Sequence, residues 1–486
     1  MKKAAAFLLP ILLGLGLTTL ALLFSQAASV QASPGILYVA PGGTCGGGVP
    51  NCYATVQAAV DAAALGDEIH VAAGTYTDVH VRPRSDVTTT GVVTQSVYLT
   101  KSLTILGGYS SDFSVHDPET YATILDAQGK GRVLYVTGDI APTIEGLRLT
   151  GGNASGMDGY NYAGIHDAGG GVYVLTATVV LRDNQIYNNT SPYGGGGIFL
   201  GESSGMLDGN SVFNNEARSG AGVFLFEGSP TLNYNQVLTN TSPNIAGGVY
   251  VLYSAATLKG NKISGNSATA IGGGLDVASC SPTLNGNIFS GNIARRGAGA
   301  YLWYSHSELT NNVFMDNQAD TDGQGSGLWL GGSGPVLLQT TFARNTGGDG
   351  SGIYVTDASS SNHSTLVMTN TIISDQSIGI SVTAGSSVNL DGILWYNTPV
   401  KVSQSGATVN IQHQYQGDPA FANDGYHLTA SSAAIANGVP AGVNTDIDGQ
   451  PRNASSPDLG ADEYWAPGVL KYSYLPSIYK NAIHSP

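Results

Sequence analysis

A Gly-led step into a short apolar strand recurs along the middle of the chain. Its last glycine falls at Gly171, Gly197, Gly222, Gly248, Gly274, Gly299, Gly327 and Gly352, every 25 to 28 residues. A second marker keeps the same beat at Asn189, Asn215, Asn240, Asn266, Asn292, Asn317 and Asn345. A third sits inside it at Asn184, Asn210, Asn235, Asn261, Asn287 and Asn312. A fixed period of this length is the mark of stacked repeats. The apolar stretches within a unit are three to six residues long and alternate, which is strand spacing and not helix spacing. Three short strands per unit, divided by Gly and Asn turns, predict one rung of an all-β parallel solenoid. Asn suits the corners because it tolerates left-handed backbone and hydrogen-bonds locally. Stacked rungs let its side chains form a ladder along the axis.

Composition agrees. Charged residues are only 11% while hydrophobic ones are 42% and Gly numbers 67 of 486, as expected where inward side chains are covered by neighbouring rungs. The net charge of −15 argues against nucleic-acid partners, which need Lys and Arg stripes. Cys45 and Cys52 flank a Gly-rich hexapeptide and can close a small disulfide loop in an oxidising compartment. Cys280 is left single, and a buried inert thiol is the expectation.

The flanks divide the chain further. Lys2 and Lys3 precede an apolar run from Ala4 to Phe24, and small residues follow to Ala32. That pattern predicts an export signal over residues 1–32, with an uncleaved membrane anchor as the alternative. The protein is therefore expected to be secreted or held at the cell surface, touching the membrane only through this segment. Residues 33–68 read as a leading strand and a capping helix. Tyr53 to Leu65 has Val56, Ala59, Val60 and Ala63 on one face, placed to plug the open end of the solenoid. The solenoid is assigned to residues 69–412 in about eleven or twelve rungs. A turn-rich module follows at 413–464 and an aromatic tail at 465–486.

Several segments resemble the right-handed parallel β-helix, or pectin lyase-like, group. These are Ala54–Leu65 leading into Gly66-Asp67-Glu68-Ile69-His70-Val71, Leu106-Gly107-Gly108-Tyr109, Thr123-Ile124-Leu125-Asp126 and Thr143-Ile144-Glu145-Gly146-Leu147. The repeats are also similar to those of chlamydial polymorphic outer-membrane proteins, through Phe289–Asn292, Phe314–Asn317 and Phe342–Asn345. The end, Asp446 to Arg452 and Asp458 to Tyr464, resembles that of choice-of-anchor Q surface proteins. The resemblance spans residues 36–464 and implies the right-handed fold. It leaves activity open, because this fold hosts lyases, hydrolases, epimerases and adhesins alike. Of the galacturonase-type signatures only Asn444-Thr445-Asp446 is present, and it lies off the repeats.

Two surface features carry the functional expectation. Following each Gly-led apolar residue comes Tyr173, Phe199, Phe224, Tyr250, Asp276, Tyr301, Trp329 or Tyr354, with Trp303 two residues further on. Alternation sets these opposite the core. An exposed column of rings can stack on sugars; the alternative is that stacked rings stabilise the sheet itself. Asp276 interrupts the column, and Arg295 and Arg296 lie in the turn entering the next rung. A carboxylate beside arginines can act as a base or bind an acidic sugar through a cation; a solvated ion pair is the plainer reading. Asn444-x-Asp446-x-Asp448-Gly449 matches the first half of a Ca²⁺ loop, although Ser455 stands where a Glu is expected. Apart from that Ca²⁺ no cofactor is implied. The expected role is a non-catalytic, adhesin-like surface protein whose aromatic face contacts a polysaccharide or cell-surface component. A polysaccharide lyase or glycoside hydrolase and a structural envelope spacer are the alternatives.

Overall fold

The computed structural model describes residues 34–84, 91–157 and 167–466. The predicted export segment and the tail beyond Ala466 lie outside the described residues. The described residues from Gly35 onward form one compact unit.

One rung shows how the repeat folds. Val223–Phe226 is followed by Thr231–Asn233, Gln236–Leu238 and Thr241–Ser242, after which Val249–Leu252 begins the next rung directly above Val223–Phe226. Among the described residues these strands stack into sheets of 25, 13 and 7 strands. The 25-stranded sheet takes two strands from each rung, bent at a buried Asn. In the 13-stranded sheet only His80–Pro83 is antiparallel, leaving twelve parallel strands. All other strand pairs are parallel, as a solenoid requires. The chain is an all-β parallel solenoid, as the repeats predict.

The core runs the length of the axis. Val172, Ile198, Val223, Val249, Leu275, Ala300, Leu328 and Ile353 occupy equivalent inward positions, each fully buried. Phe289, Phe314 and Phe342 stack inside the tube with ring centroids 4.7 and 4.8 Å apart. Two Asn ladders line the corners. Asn240 Nδ2 donates to Val212 O at 2.9 Å and to Asn266 Oδ1 at 3.0 Å, and the same pair of bonds repeats from rung to rung. The left-handed backbone falls one residue earlier than the sequence suggests, at Asn188 (φ 54°), Asn214 (φ 53°) and Thr239 (φ 53°). That residue turns the corner, so the following Asn points its amide inward into the ladder.

The N-terminal end is closed by a helix over Val56–Ala62, shorter than Tyr53–Leu65. The Thr55 hydroxyl caps it by accepting from Ala58 N at 3.1 Å, and Ala63 already has extended backbone. Val56, Ala59 and Val60 are buried as expected, Ala63 is buried just past the helix, and Gln57 joins them. Lys101 Nζ donates to Val60 O (2.9 Å) and Ala63 O (2.8 Å), satisfying the carbonyls at the helix end. Cys45 and Cys52 are joined in a disulfide. Cys280 is a half-buried free thiol whose ionisation burial opposes.

Past the last rung, residues 418–464 pack against the outer face of the long sheet. Asn370 exchanges two hydrogen bonds with Val439 (2.7 and 2.8 Å), and Ala461 N donates to Thr341 Oγ1 (3.0 Å). Ile372, Leu394, Leu428, Ala434 and Leu459 form a small second core between them.

Candidate functional site

In the seven-stranded sheet the residue after each ladder Asn opens a short strand. Thr190, Glu216 and Thr241 are in register on successive rungs. Alternation buries Ser191, Ala217 and Ser242 and leaves the residues on either side facing solvent. A groove of about 620 Å³ runs across these rungs, lined by Ser155, Thr190, Pro192, Glu216, Arg218 and Asn244, among others. Ser191 and Gly194 are locked by mutual hydrogen bonds of 3.0 Å where the register shifts. Ser242 Oγ donates to Arg218 O (2.8 Å), holding the floor of the groove rung to rung. Glu216 and Arg218 are both exposed, and neither forms an ion pair among the described residues. Among the described residues the groove therefore offers hydroxyls, an amide, one carboxylate and one guanidinium, with Thr190, Glu216 and Arg218 on stacked strands and Ser155 in a turn and Asn244 in a bend beside them.

Sequence reasoning missed this groove, although the signal was the position directly following each ladder Asn. It pointed instead to the aromatic column, and there the structure corrects the expectation. Tyr173, Phe199 and Phe224 are fully buried, Tyr301 and Trp329 are buried, and Tyr250, Trp303 and Tyr354 are half-buried. They do lie off the main core, as alternation requires, but they do not form an exposed stripe. The rings stack on one another instead: Tyr173 on Phe199 (5.3 Å between centroids), Phe224 on Tyr250 (4.9 Å), Tyr301 on Trp329 (4.4 Å) and Trp329 on Tyr354 (6.4 Å). Tyr193 packs against Phe224, and the buried Arg132 guanidinium lies 4.8 Å from the centre of the Tyr173 ring. Each ring covers its neighbours, which is the stabilising role.

Asp276 sits in the register between Tyr250 and Tyr301. It is 1% exposed, its Oδ1 has no hydrogen-bond partner, and burial pushes its carboxyl up to about 8. No ion pair joins it to Arg295 or Arg296. Arg295 is exposed and Arg296 half-buried on the seven-stranded sheet, so these three residues do not form a site. A buried neutral acid with no base beside it is a weak start for acid–base chemistry. Its consequence is for stability. The folded carboxyl is raised above its usual value near 3.8, so its contribution is complete below that pH and lost as pH rises towards 8. Asp276→Asn is expected to melt like the wild type at pH 4. At pH 9 it should be more stable by about 5–6 kcal/mol, at about 1.4 kcal/mol per pH unit between 3.8 and about 8. Equal pH profiles of melting temperature for the two proteins would show that Asp276 is ionised in the fold.

The structure parts the residues of the expected Ca²⁺ loop: ligand atoms of Asp448, His427 and Asp462 lie within 4.8 Å of one another, a grouping able to hold a metal ion, and Asn444 and Asp446 are not among them. Asp446 is buried and accepts from the backbone N–H groups of Asp448 (3.0 Å), Gln450 (2.7 Å) and Glu463 (3.3 Å). Burial pushes it up to about 6. Its oxygens are committed to holding a turn. Asp448 Oδ2 meets His427 Nε2 at 2.6 Å, while Asp424 Oδ2 meets His427 Nδ1 at 2.6 Å. Burial opposes charge on His427, but the hydrogen bonds to Asp424 and Asp448 carry it up to about 10. Asp446 thus holds a turn of the module, and no hydrogen bond among the described residues brings Asn444 to the two carboxylates.

The family model of the right-handed β-helix region matches residues 120–289 and 269–412, together more than half of the chain. No curated protein matches. Among solved structures, pectate lyase Pel9A is 12% identical, with 89% of this chain and 97% of that one covered and a TM-score of 0.43. The complex of XylC with xylose is 9% identical, with 88% and 98% covered and a TM-score of 0.47. The Dettilon tailspike protein is 12% identical, with 79% and 69% covered and a TM-score of 0.38.

Proposed function

The chain belongs to the right-handed β-helix family, and on that scaffold we propose a non-catalytic, exported surface protein that binds a polysaccharide. Export rests on the Lys-led apolar segment over residues 1–32. Binding rests on one observation: the groove over Thr190, Glu216 and Asn244, where Glu216 and Arg218 have no ion-pair partner among the described residues. Hydroxyl-rich ligands are recognised by hydroxyls, amides and charged groups held at fixed spacing, and stacked rungs repeat that spacing about every 4.8 Å. Among its described lining residues the groove presents one carboxylate, Glu216, whereas glycoside hydrolysis uses two flanking the bond. That favours retention over turnover.

The wild-type protein is expected to be retained on at least one member of a panel of insoluble neutral and acidic polysaccharides. The double variant Glu216→Ala/Arg218→Ala should lose about tenfold or more in affinity, from two charge-assisted hydrogen bonds. Its melting temperature should stay within a few degrees, because both side chains are exposed. Retention unchanged in the double variant, or no retention on any polymer, would sink the proposal. Release of reducing ends or unsaturated uronides, abolished by Glu216→Gln, would make the protein an enzyme instead.

A further inference from the structure

The two ends of the solenoid are built differently. At the first rung the Val56–Ala62 helix covers the end of the tube and buries its apolar face there. At the last rung, Thr408–Gln416 pairs in parallel with Ser387–Tyr396, and Val400–Gln404 with Ile378–Val382. Neither has a strand on its other side among the described residues. The penultimate strand, Ser387–Tyr396, is half buried or better throughout, whereas Thr408–Gln416 is exposed at seven of nine positions. Ile411 and Val400 are 36% and 42% exposed, and Val402 and Ala407 pack against the end of the core with one side open.

Unpaired strand edges are normally blunted by charge, Pro or a cover. Thr408–Gln416 carries no Pro, Asp, Glu, Lys or Arg, and its His413 is engaged with Asp391 at 2.7 Å. We propose that this end pairs with the same end of a second copy, Thr408–Gln412 running antiparallel to its counterpart about a two-fold axis at Asn410. The segment is self-complementary about that axis. Val409 and Ile411, the two residues continuing the inward Val388 and Leu390 positions, fall opposite each other across the copies. Asn410 donates to Asn389 Oδ1 at 2.8 Å and accepts nothing among the described residues, so its carbonyl is available to the facing amide. Charge permits the contact: in a chain of net −15, no Asp or Glu occurs between residues 392 and 417. The helix at the opposite end removes the strand edge that head-to-tail stacking would need. A closed dimer follows rather than a fibre.

Sedimentation velocity of the purified full-length protein is the test. A dimer is expected at micromolar concentration. Asn410→Lys, which puts two ammonium groups face to face on the axis, and Ile411→Lys should each weaken it by about 100-fold or more. Both variants should keep the wild-type circular dichroism and melting temperature, and Asn410→Lys carries the test if Ile411→Lys frays the last rung. A monomer at every concentration, or a dimer untouched by both substitutions, overturns the proposal. So do polymers longer than two. A monomer that dimerises only after residues 467–486 are removed would assign the edge to the chain's own tail, and also overturns it.

Discussion

Asn240→Leu is expected to cost about 4 kcal/mol of stability in a urea titration, far more than its size change suggests. The side chain is fully buried. Its Oδ1 accepts from Asn215 N and Asn215 Nδ2, both at 3.0 Å, and its Nδ2 donates to Val212 O at 2.9 Å and Asn266 Oδ1 at 3.0 Å. Leu fills the space but leaves a carbonyl and two N–H groups buried without partners, at about 1–3 kcal/mol each. Asn240→Asp should be nearly as damaging, because a carboxylate supplies neither donor. Asn214→Ala, one residue before a ladder position and exposed, should cost about 1 kcal/mol, from Ala in left-handed backbone and the lost Thr239 bond, with the ladder intact. Native-state hydrogen exchange gives the local reading. The Asn215 amide should lose its protection in Asn240→Leu, and retained protection would mean that the ladder is not what holds the corner.

Arg452→Met is expected to release the C-terminal module while leaving the rungs intact. The guanidinium is fully buried and donates to Asn311 Oδ1 (3.1 Å), Gly460 O (3.0 Å), Ala461 O (2.6 Å) and Asp462 O (3.2 Å), and to Glu463 Oε2 at 3.3 Å. Removing it leaves the buried Glu463 carboxylate without its cation and breaks one of the two hydrogen bonds that tie the module to Asn311. Breaking a buried pair from one side costs about 3–5 kcal/mol. Arg452→Lys should rescue little, since one ammonium cannot reproduce a planar fork of donors. Limited proteolysis checks this. New cleavage between residues 418 and 464, with unchanged β circular dichroism, is the expected outcome; an unchanged digestion pattern would contradict it.

The solenoid was legible because its information is periodic. Gly222 and Gly248, or Asn240 and Asn266, each repeat one local solution, and a period survives without knowledge of tertiary contacts. The capping helix was legible for a similar reason, its face being set by Val56, Ala59 and Val60. Alternation also assigned Tyr173, Phe224 and Tyr301 correctly to the side away from the main core. It could not say what covers that side, and rings 4.4 to 5.5 Å apart cover one another. Asp276 misled for the same reason: its neighbours in space are Tyr250 and Tyr301 from adjacent rungs, not Arg295 and Arg296 further along its own chain. In the C-terminal module the Asn444, Asp446 and Asp448 spacing matches half of a cation loop, but of the three only Asp448 is grouped with other potential ligands, His427 and Asp462. The alternative partners of Asp446 are backbone N–H groups, which carry no sequence signal. His427 between Asp424 and Asp448 had none either, because the three residues come together only when the module folds.

The proposed polysaccharide contact falls on the polar groove over the seven-stranded sheet and not on the aromatic column. Hydrogen–deuterium exchange of the protein, with and without a soluble fragment of the polysaccharide that retains it, tests this most directly. Added protection is expected in the segments holding Thr190, Glu216 to Arg218 and Asn244, with Tyr250, Tyr301 and Trp329 unchanged. Protection over Tyr250–Trp329 with the groove segments unaffected would contradict the account and return binding to the rings.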